Sequence, residues 1–207
     1  MNIQDVVIDH KIYEDKDRLD VIFEKQDELR QAYGIPILKL DVPGDQSIAR
    51  EMAWNTVEEM AEALAVITSK TQDKNHLLDE VADSFSFYIE LLIISGMTAD
   101  DFKPTKSTQK DKLGGWFDVD SDAYQTDTRR AHSIFVEKLA IAINNLKNRK
   151  WRKTNVHTND FIYKKDLFVT FLNFVRFVKE LGLTDHDLFD AYVRKVEVNK
   201  FRIRSKY

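Results

Sequence analysis

The stretch VEEMAEALAVITSKTQDKNHLLDEVADSF (residues 57–85) carries two short acidic pairs, Glu59/Glu62 and Glu80/Asp83, each spaced i, i+3. Three residues advance an α-helix by about 300°, so both members of a pair share one helical face. The neighbours of that face are apolar: Ala61, Leu64 and Ile67 on the first segment, Leu77, Val81 and Phe85 on the second. The stretch therefore reads as two helices separated by the polar break TQDKN. Carboxylates turned toward an apolar seam cannot all stay ionised, because desolvation and mutual repulsion both oppose the charge. A divalent cation removes the difficulty, and hard oxygen ligands favour Mg²⁺ or Mn²⁺. One such pair alone would read as a solvated helix surface; two pairs facing apolar stripes point to metal.

Outward from this stretch the helical period continues. Upstream, a helix is expected from about Lys16 to Tyr33, with Leu19, Ile22, Phe23, Gln26, Leu29 and Tyr33 on one side. GIPILKLDVPGD then reads as a loop, and the helix carrying Glu59 and Glu62 is expected to start near Asp45 or Ser47 and reach Lys70. The next helix, about Leu77 to Ser95, ends in the apolar run FYIELLII, which suggests burial on most sides or a subunit interface. Further helices are expected near Thr126–Lys150, Asp160–Leu181 and from Thr184 almost to the last residue. Gly96-Met-Thr-Ala-Asp-Asp101 and Gly182-Leu-Thr-Asp-His-Asp187 look like one capping solution used twice. The pattern predicts a single all-α domain over residues 1–207, a helical bundle whose stretch of about 103–160 is the least explained.

Composition agrees. Only six Gly and three Pro in 207 residues argue against a turn-rich β architecture. Charged residues at 32% and hydrophobic ones at 43% exclude a disordered chain. Cysteine is absent, which removes a disulfide framework, a thiol nucleophile and a Cys-based zinc site. A net charge of −4 gives no general attraction to nucleic acid. No apolar run reaches transmembrane length and the acidic N-terminus does not read as a signal peptide, so neither membrane nor export is expected.

Other motifs are weaker. Asp118, Asp120 and Asp122 alternate like part of a calcium loop but lack its central Gly and terminal Glu, and read as a solvated loop. The five histidines show no HxxxH or HExxH pattern, and no glycine-rich phosphate loop is present. In the last helix Lys195, Asn199 and Arg202 fall at i, i+4 and i+7, with Arg204, Lys206 and Tyr207 just beyond. Two cations flanking an amide suit phosphate oxygens. The same residues also read as a basic helix end complementing the macrodipole.

Taken together, the motifs resemble a known family. E-x-x-E, 17 residues, then E-x-x-D resembles the acidic signature of the all-α nucleotide pyrophosphohydrolases, the MazG-like superfamily. Lys195, Asn199, Arg202 and Tyr207 are similar in spacing to the closing pattern K-N-x-x-N-x-x-R-Q-x-x-G-Y of the dimeric dUTPases and of related phage enzymes that also accept dCTP; Val196, Ile203 and Lys206 depart from it. Gln26-Asp-Glu-Leu29-Arg30 resembles the family's Q-x-x-L-N base-recognition motif with Arg in place of Asn. Asp83 and Phe87 match a V-D-x-x-H-F segment in which Ser86 replaces His. Lys70 stands at the first Lys of a K-W-W-K-like segment whose tryptophans are missing.

The resemblance implies Mg²⁺-dependent hydrolysis of a deoxynucleoside triphosphate, dUTP or dCTP, to the monophosphate and pyrophosphate. It implies two or three ions (Mn²⁺ as an alternative) held by Glu59, Glu62, Glu80 and Asp83, one of which, or Glu58 beside them, orients the water. Lys70, Lys195, Arg202 and Arg204 would counter phosphate charge, with Asn199 and Tyr207 in the same tail motif. Phe87 would stack on the base and Gln26 would read its edge; at residue 30, Arg offers donors only, so cytosine is tolerated if that side chain touches the base. A homodimer is implied, and the apolar third helix adds to that expectation. A cytoplasmic, phage or bacterial enzyme of nucleotide-pool sanitation follows from the family. Two alternatives stand beside it: a related pyrophosphohydrolase of another nucleotide, and a non-catalytic helical dimer that binds a protein.

Overall fold

The computed structural model describes residues 6–70, 73–103, 116–117, 127–153 and 155–205. Six α-helices account for most of them: α1 (Arg18–Ala32), α2 (Pro43–Thr68), α3 (Lys74–Ile94), α4 (Thr128–Asn144), α5 (Asp160–Glu180) and α6 (Asp185–Ser205). Two 3₁₀ turns, His10–Tyr13 and Ala99–Phe102, complete the regular structure, and no strand occurs among the described residues. The protein is all-α, as the periodicity predicts.

Local chemistry sets the helix ends. Asp17 opens α1 by accepting from the amides of Leu19 and Asp20, and Asp73 opens α3 by accepting from those of Asn75 and His76. α2 begins earlier than expected: Pro43 occupies its first turn, where a missing N–H is harmless and the fixed φ suits a helix. α3 closes on Gly96 at φ +74°, with the Gly96 and Met97 amides donating to the Ile93 and Leu92 carbonyls. Gly182, at φ +73°, closes α5 with the same pair of bonds, to Lys179 and Val178. The Thr–Asp capping box follows in both places, at Thr98/Asp101 and Thr184/Asp187.

α3 is the central element. From Tyr88 to Ile94 no residue is more than 7% exposed. Phe85 stacks on Phe174 of α5 at 5.1 Å and meets Tyr192 of α6 edge-on at 5.9 Å, while Tyr88 lies against Phe135 of α4 at 5.8 Å. The Tyr88 hydroxyl donates to the Leu167 carbonyl at 2.6 Å, so even its polar atom is satisfied. Each such ring stabilises the fold by roughly 1.5–3 kcal/mol through burial. One chain thus covers the FYIELLII run from Tyr88 onward by itself, and the apolarity of this helix does not argue for a dimer.

Three further expectations need correction. Tyr33, placed on the core side of α1, is the C-cap and 54% exposed, because the helix ends before it. Ala61 points outward from α2; the core stripe of that helix is instead Ala49, Ala53, Thr56, Met60, Ala63 and Val66. α4 stops at Asn144 rather than near Lys150. Beyond it the buried Asn148 side chain donates to the Asp41 and Val156 carbonyls at 3.0 and 2.9 Å and accepts from the Val156 amide at 2.6 Å. Its own amide donates to Gln46 Oε1 at 2.7 Å. A side chain that binds backbone this way competes with helix continuation.

Candidate active site

α2 and α3 are joined by a short connection and run antiparallel. Ser84 donates to the Thr56 carbonyl at 3.0 Å, which fixes their register. That register brings the second half of α2 against the first half of α3, and the acidic pairs with them. Carboxylate oxygens of Glu59, Glu62 and Glu80 lie within 4.8 Å of one another. Asp83 faces the same side but is engaged by the Lys195 ammonium, which reaches it from α6.

The electrostatics follow from the crowding. Glu59 is pushed up to about 7, first by burial and then by the charges of Asp83, Glu80 and Glu62 around it. Asp83 is raised by burial as well, against the opposing pull of Lys195. Glu80 pairs with His76 Nε2 at 2.8 Å, one turn earlier on α3. Three facing carboxylates on a half-open surface offer hard oxygens in the pattern that suits Mg²⁺ or Mn²⁺. The donor set fits such an ion.

A cavity of about 400 Å³ opens beside this cluster. Glu59 and Asp83 stand at one side, Lys195, Asn199 and Arg202 at another, and Gln26, Phe87 and Glu90 complete the wall. Seven of the residues singled out in the sequence therefore meet in one place. Arg202 Nη1 sits 3.5 Å from Asn199 Oδ1, so the tail residues form a contiguous polar strip. Glu62 is exposed at the rim and faces the shallow hollow that contains Ser69 and His76.

Other expected residues are elsewhere. Arg30 does not line the cavity; its Nε donates to Asp27 at 2.7 Å and its Nη1 to the Ile35 carbonyl. Lys70 and Arg204 are exposed and outside the lining. Glu58 also points away and accepts from Trp54 Nε1 at 2.7 Å. Tyr207, Lys206 and the Asp118–Asp122 run lie outside the described residues.

Gln26 is not a free edge reader. Its carbonyl oxygen accepts from Ser86 and from Tyr192, both at 2.9 Å, and its amide donates to Glu90 at 2.8 Å. One N–H remains. Ser86, which stands where the resemblance places a histidine, thus orients Gln26 from α3. Glu90 joins the same wall with no motif to mark it. It is 3% exposed, its Oε1 has no partner, and burial raises its carboxyl. The signal was a lone charge inside an otherwise apolar run.

Comparison with known proteins bears on the same region. The family model described as dUTPase matches residues 18–207. No curated protein and no solved structure matches the chain significantly.

Proposed function

The chain belongs to the dUTPase family, and from that premise we propose that it hydrolyses dUTP to dUMP and pyrophosphate with Mg²⁺. The observation that carries this reading is the meeting of the carboxylates of α2 and α3 with Lys195, Asn199 and Arg202 of α6 around one cavity. Glu59, Glu62, Glu80 and Asp83 would hold the metal, and Mg²⁺, when bound, supplies neutralisation of phosphate charge and a more acidic water. Lys195 and Arg202 bind the phosphate oxygens and counter the charge that develops on the leaving pyrophosphate, Arg as a fork and Lys as a point charge. Asn199 adds a neutral donor. Phe87 offers a face for the base, and the remaining N–H of Gln26 meets a base acceptor. A carboxylate of the cluster that is not fully engaged accepts the proton of the attacking water.

dCTP is the second substrate reading. A single donor on Gln26 is satisfied by O4 of uracil or by N3 of cytosine, so this donor does not separate the two bases. A homodimer belongs to the proposal on the strength of the family. Light scattering at micromolar concentration tests it, and a monomer would remove it.

The test of function is pyrophosphate release from a panel of deoxynucleoside triphosphates with Mg²⁺, run beside Glu59→Gln. Release from dUTP or dCTP that disappears in the variant supports reaction and site together. Release confined to other nucleotides discards the substrate assignment, and no release from any nucleotide discards the enzyme.

A further inference from the structure

Far from the acidic cluster along α6, His186 and Asp190 stand at i, i+4 and share a face. The 3₁₀ turn His10–Tyr13 packs against them. Tyr13 meets Phe189 edge-on at 5.4 Å, the Lys25 ammonium lies 5.5 Å from the Tyr13 ring, and the rings of His10 and His186 are 5.4 Å apart. His10 Nε2 lies 3.6 Å from Asp190 Oδ2 and His186 Nε2 lies 3.7 Å from the same oxygen. One donor atom from each residue falls within a 4.8 Å group.

Those separations are too long for hydrogen bonds. They approach the spacing of ligands around one tetrahedral ion, where bonds of about 2.0–2.2 Å place donor atoms roughly 3.3–3.5 Å apart. The other oxygen of Asp190, Oδ1, is buried without a hydrogen-bond partner. A cation between the three would engage Oδ2 and draw on the charge of a carboxylate whose other oxygen has no partner. A cavity of about 420 Å³ lined by His10, Lys11, Glu14, Arg18 and His186 leaves room for a fourth ligand such as water.

We propose that His10, His186 and Asp190 form a second metal site, for Zn²⁺ or a similar borderline cation, that fastens the N-terminal turn to α6. Two imidazoles and one carboxylate select such an ion over Mg²⁺, which prefers oxygen. His10 precedes the residues matched by the family, so this site is a property of the chain rather than of the matched region. Arg18 opposes it: its Nη1 is held by Asp185, and its Nη2 approaches His186 Nδ1 at 3.4 Å. Binding through Nε2 moves the ring proton to Nδ1 and breaks that long contact, and the guanidinium charge lowers affinity for any cation. The site is therefore weaker than a closed structural zinc centre.

The experiment is calorimetric titration of the full chain with Zn²⁺ in excess Mg²⁺, so that the acidic cluster meets its preferred ion first, with Co²⁺ absorption as a second readout. One ion per chain is expected, with visible Co²⁺ bands of a low-coordinate nitrogen–oxygen site. His10→Ala and His186→Ala should each weaken binding by about tenfold or more, and Glu80→Gln should leave it unchanged. Because His10 sits in an exposed turn, its variant keeps the test valid if His186→Ala fails to fold. No Zn²⁺ binding, binding that survives both histidine variants, or binding lost in Glu80→Gln would overturn the proposal.

Discussion

The Lys195 ammonium donates to Asp83 Oδ2, joining α6 to the acidic face of α3 where both side chains are only 17% exposed. The ion pair places a fixed positive charge among carboxylates that otherwise repel one another. It also makes Lys195 a competitor for one candidate metal ligand and a candidate phosphate partner at once. Lys195→Met should lower kcat/KM for the preferred nucleotide by roughly 10²–10³-fold, while Mn²⁺ affinity in the substrate-free protein holds or rises. Steady-state kinetics and paramagnetic titration check this; affinity falling in step with activity would make Lys195 a structural support only.

Glu59 should dominate the pH dependence of the metal-free protein. Its carboxyl is raised from 4.5 to about 7, so between those values the folded chain keeps a proton that the unfolded chain has lost. Folded-state proton binding exceeds unfolded binding there, and stability falls as pH rises from about 4.5 to about 7, then levels. Glu59→Gln should reduce the slope, leaving the part that the raised carboxyls of Asp83 and Glu90 contribute, and raise Tm at slightly alkaline pH by roughly 2–4 °C, about 1 kcal/mol after allowance for solvent screening. Thermal melts in chelator across that range decide it, and a flat wild-type profile would contradict the crowding of these carboxylates.

Gln26 is expected to matter more for stability than a cavity-wall residue should. Gln26→Leu strips a donor from Glu90 and an acceptor from Ser86 and Tyr192, and should cost roughly 2–4 kcal/mol in urea unfolding. A loss below 0.5 kcal/mol, on the order of a surface substitution, would show that the network relaxes onto other partners.

For Phe87→Ala the expectation is kinetic. Loss of a stacking face should raise KM by about tenfold or more, in keeping with ~1–3 kcal/mol per stacked base, with kcat nearly kept. An unchanged KM would assign Phe87 to packing.

Asn148→Ala tests the loop after α4. Three side-chain bonds to backbone disappear, and the protein should lose roughly 2–3 kcal/mol without change in metal affinity. Chemical denaturation and the Mn²⁺ titration give both halves of that statement.

How far these features can be read from sequence depends on the range of the interactions behind them. α3, α5 and α6 are legible to within a few residues because Asp73, Gly96, Gly182 and Thr184 act on their immediate neighbours. The meeting of Glu59, Glu62 and Glu80 is legible because periodicity fixes each face and a short connection fixes the pairing. The end of α4 is not, since Asn148 acts through Asp41, 107 residues away. Gln26 reads as a base contact from its motif, yet its partners Ser86, Glu90 and Tyr192 lie 60, 64 and 166 residues away, and only the packing of α1 on α3 and α6 joins them. His10 and His186 form no motif at all until the chain folds the N-terminal turn onto α6.

The enclosure of α3 from Tyr88 to Ile94 has a consequence for how such a protein can change over generations. A helix packed by rings on several sides tolerates little substitution, so the carboxylates it carries are inherited as a fixed frame. The base side of the cavity is shared by Gln26 of α1 with Ser86, Phe87 and Glu90 of α3, so preference for a new nucleobase has to be acquired within that frame. Chemistry and selectivity are thereby lodged in one helix, and neither can drift far without moving the other.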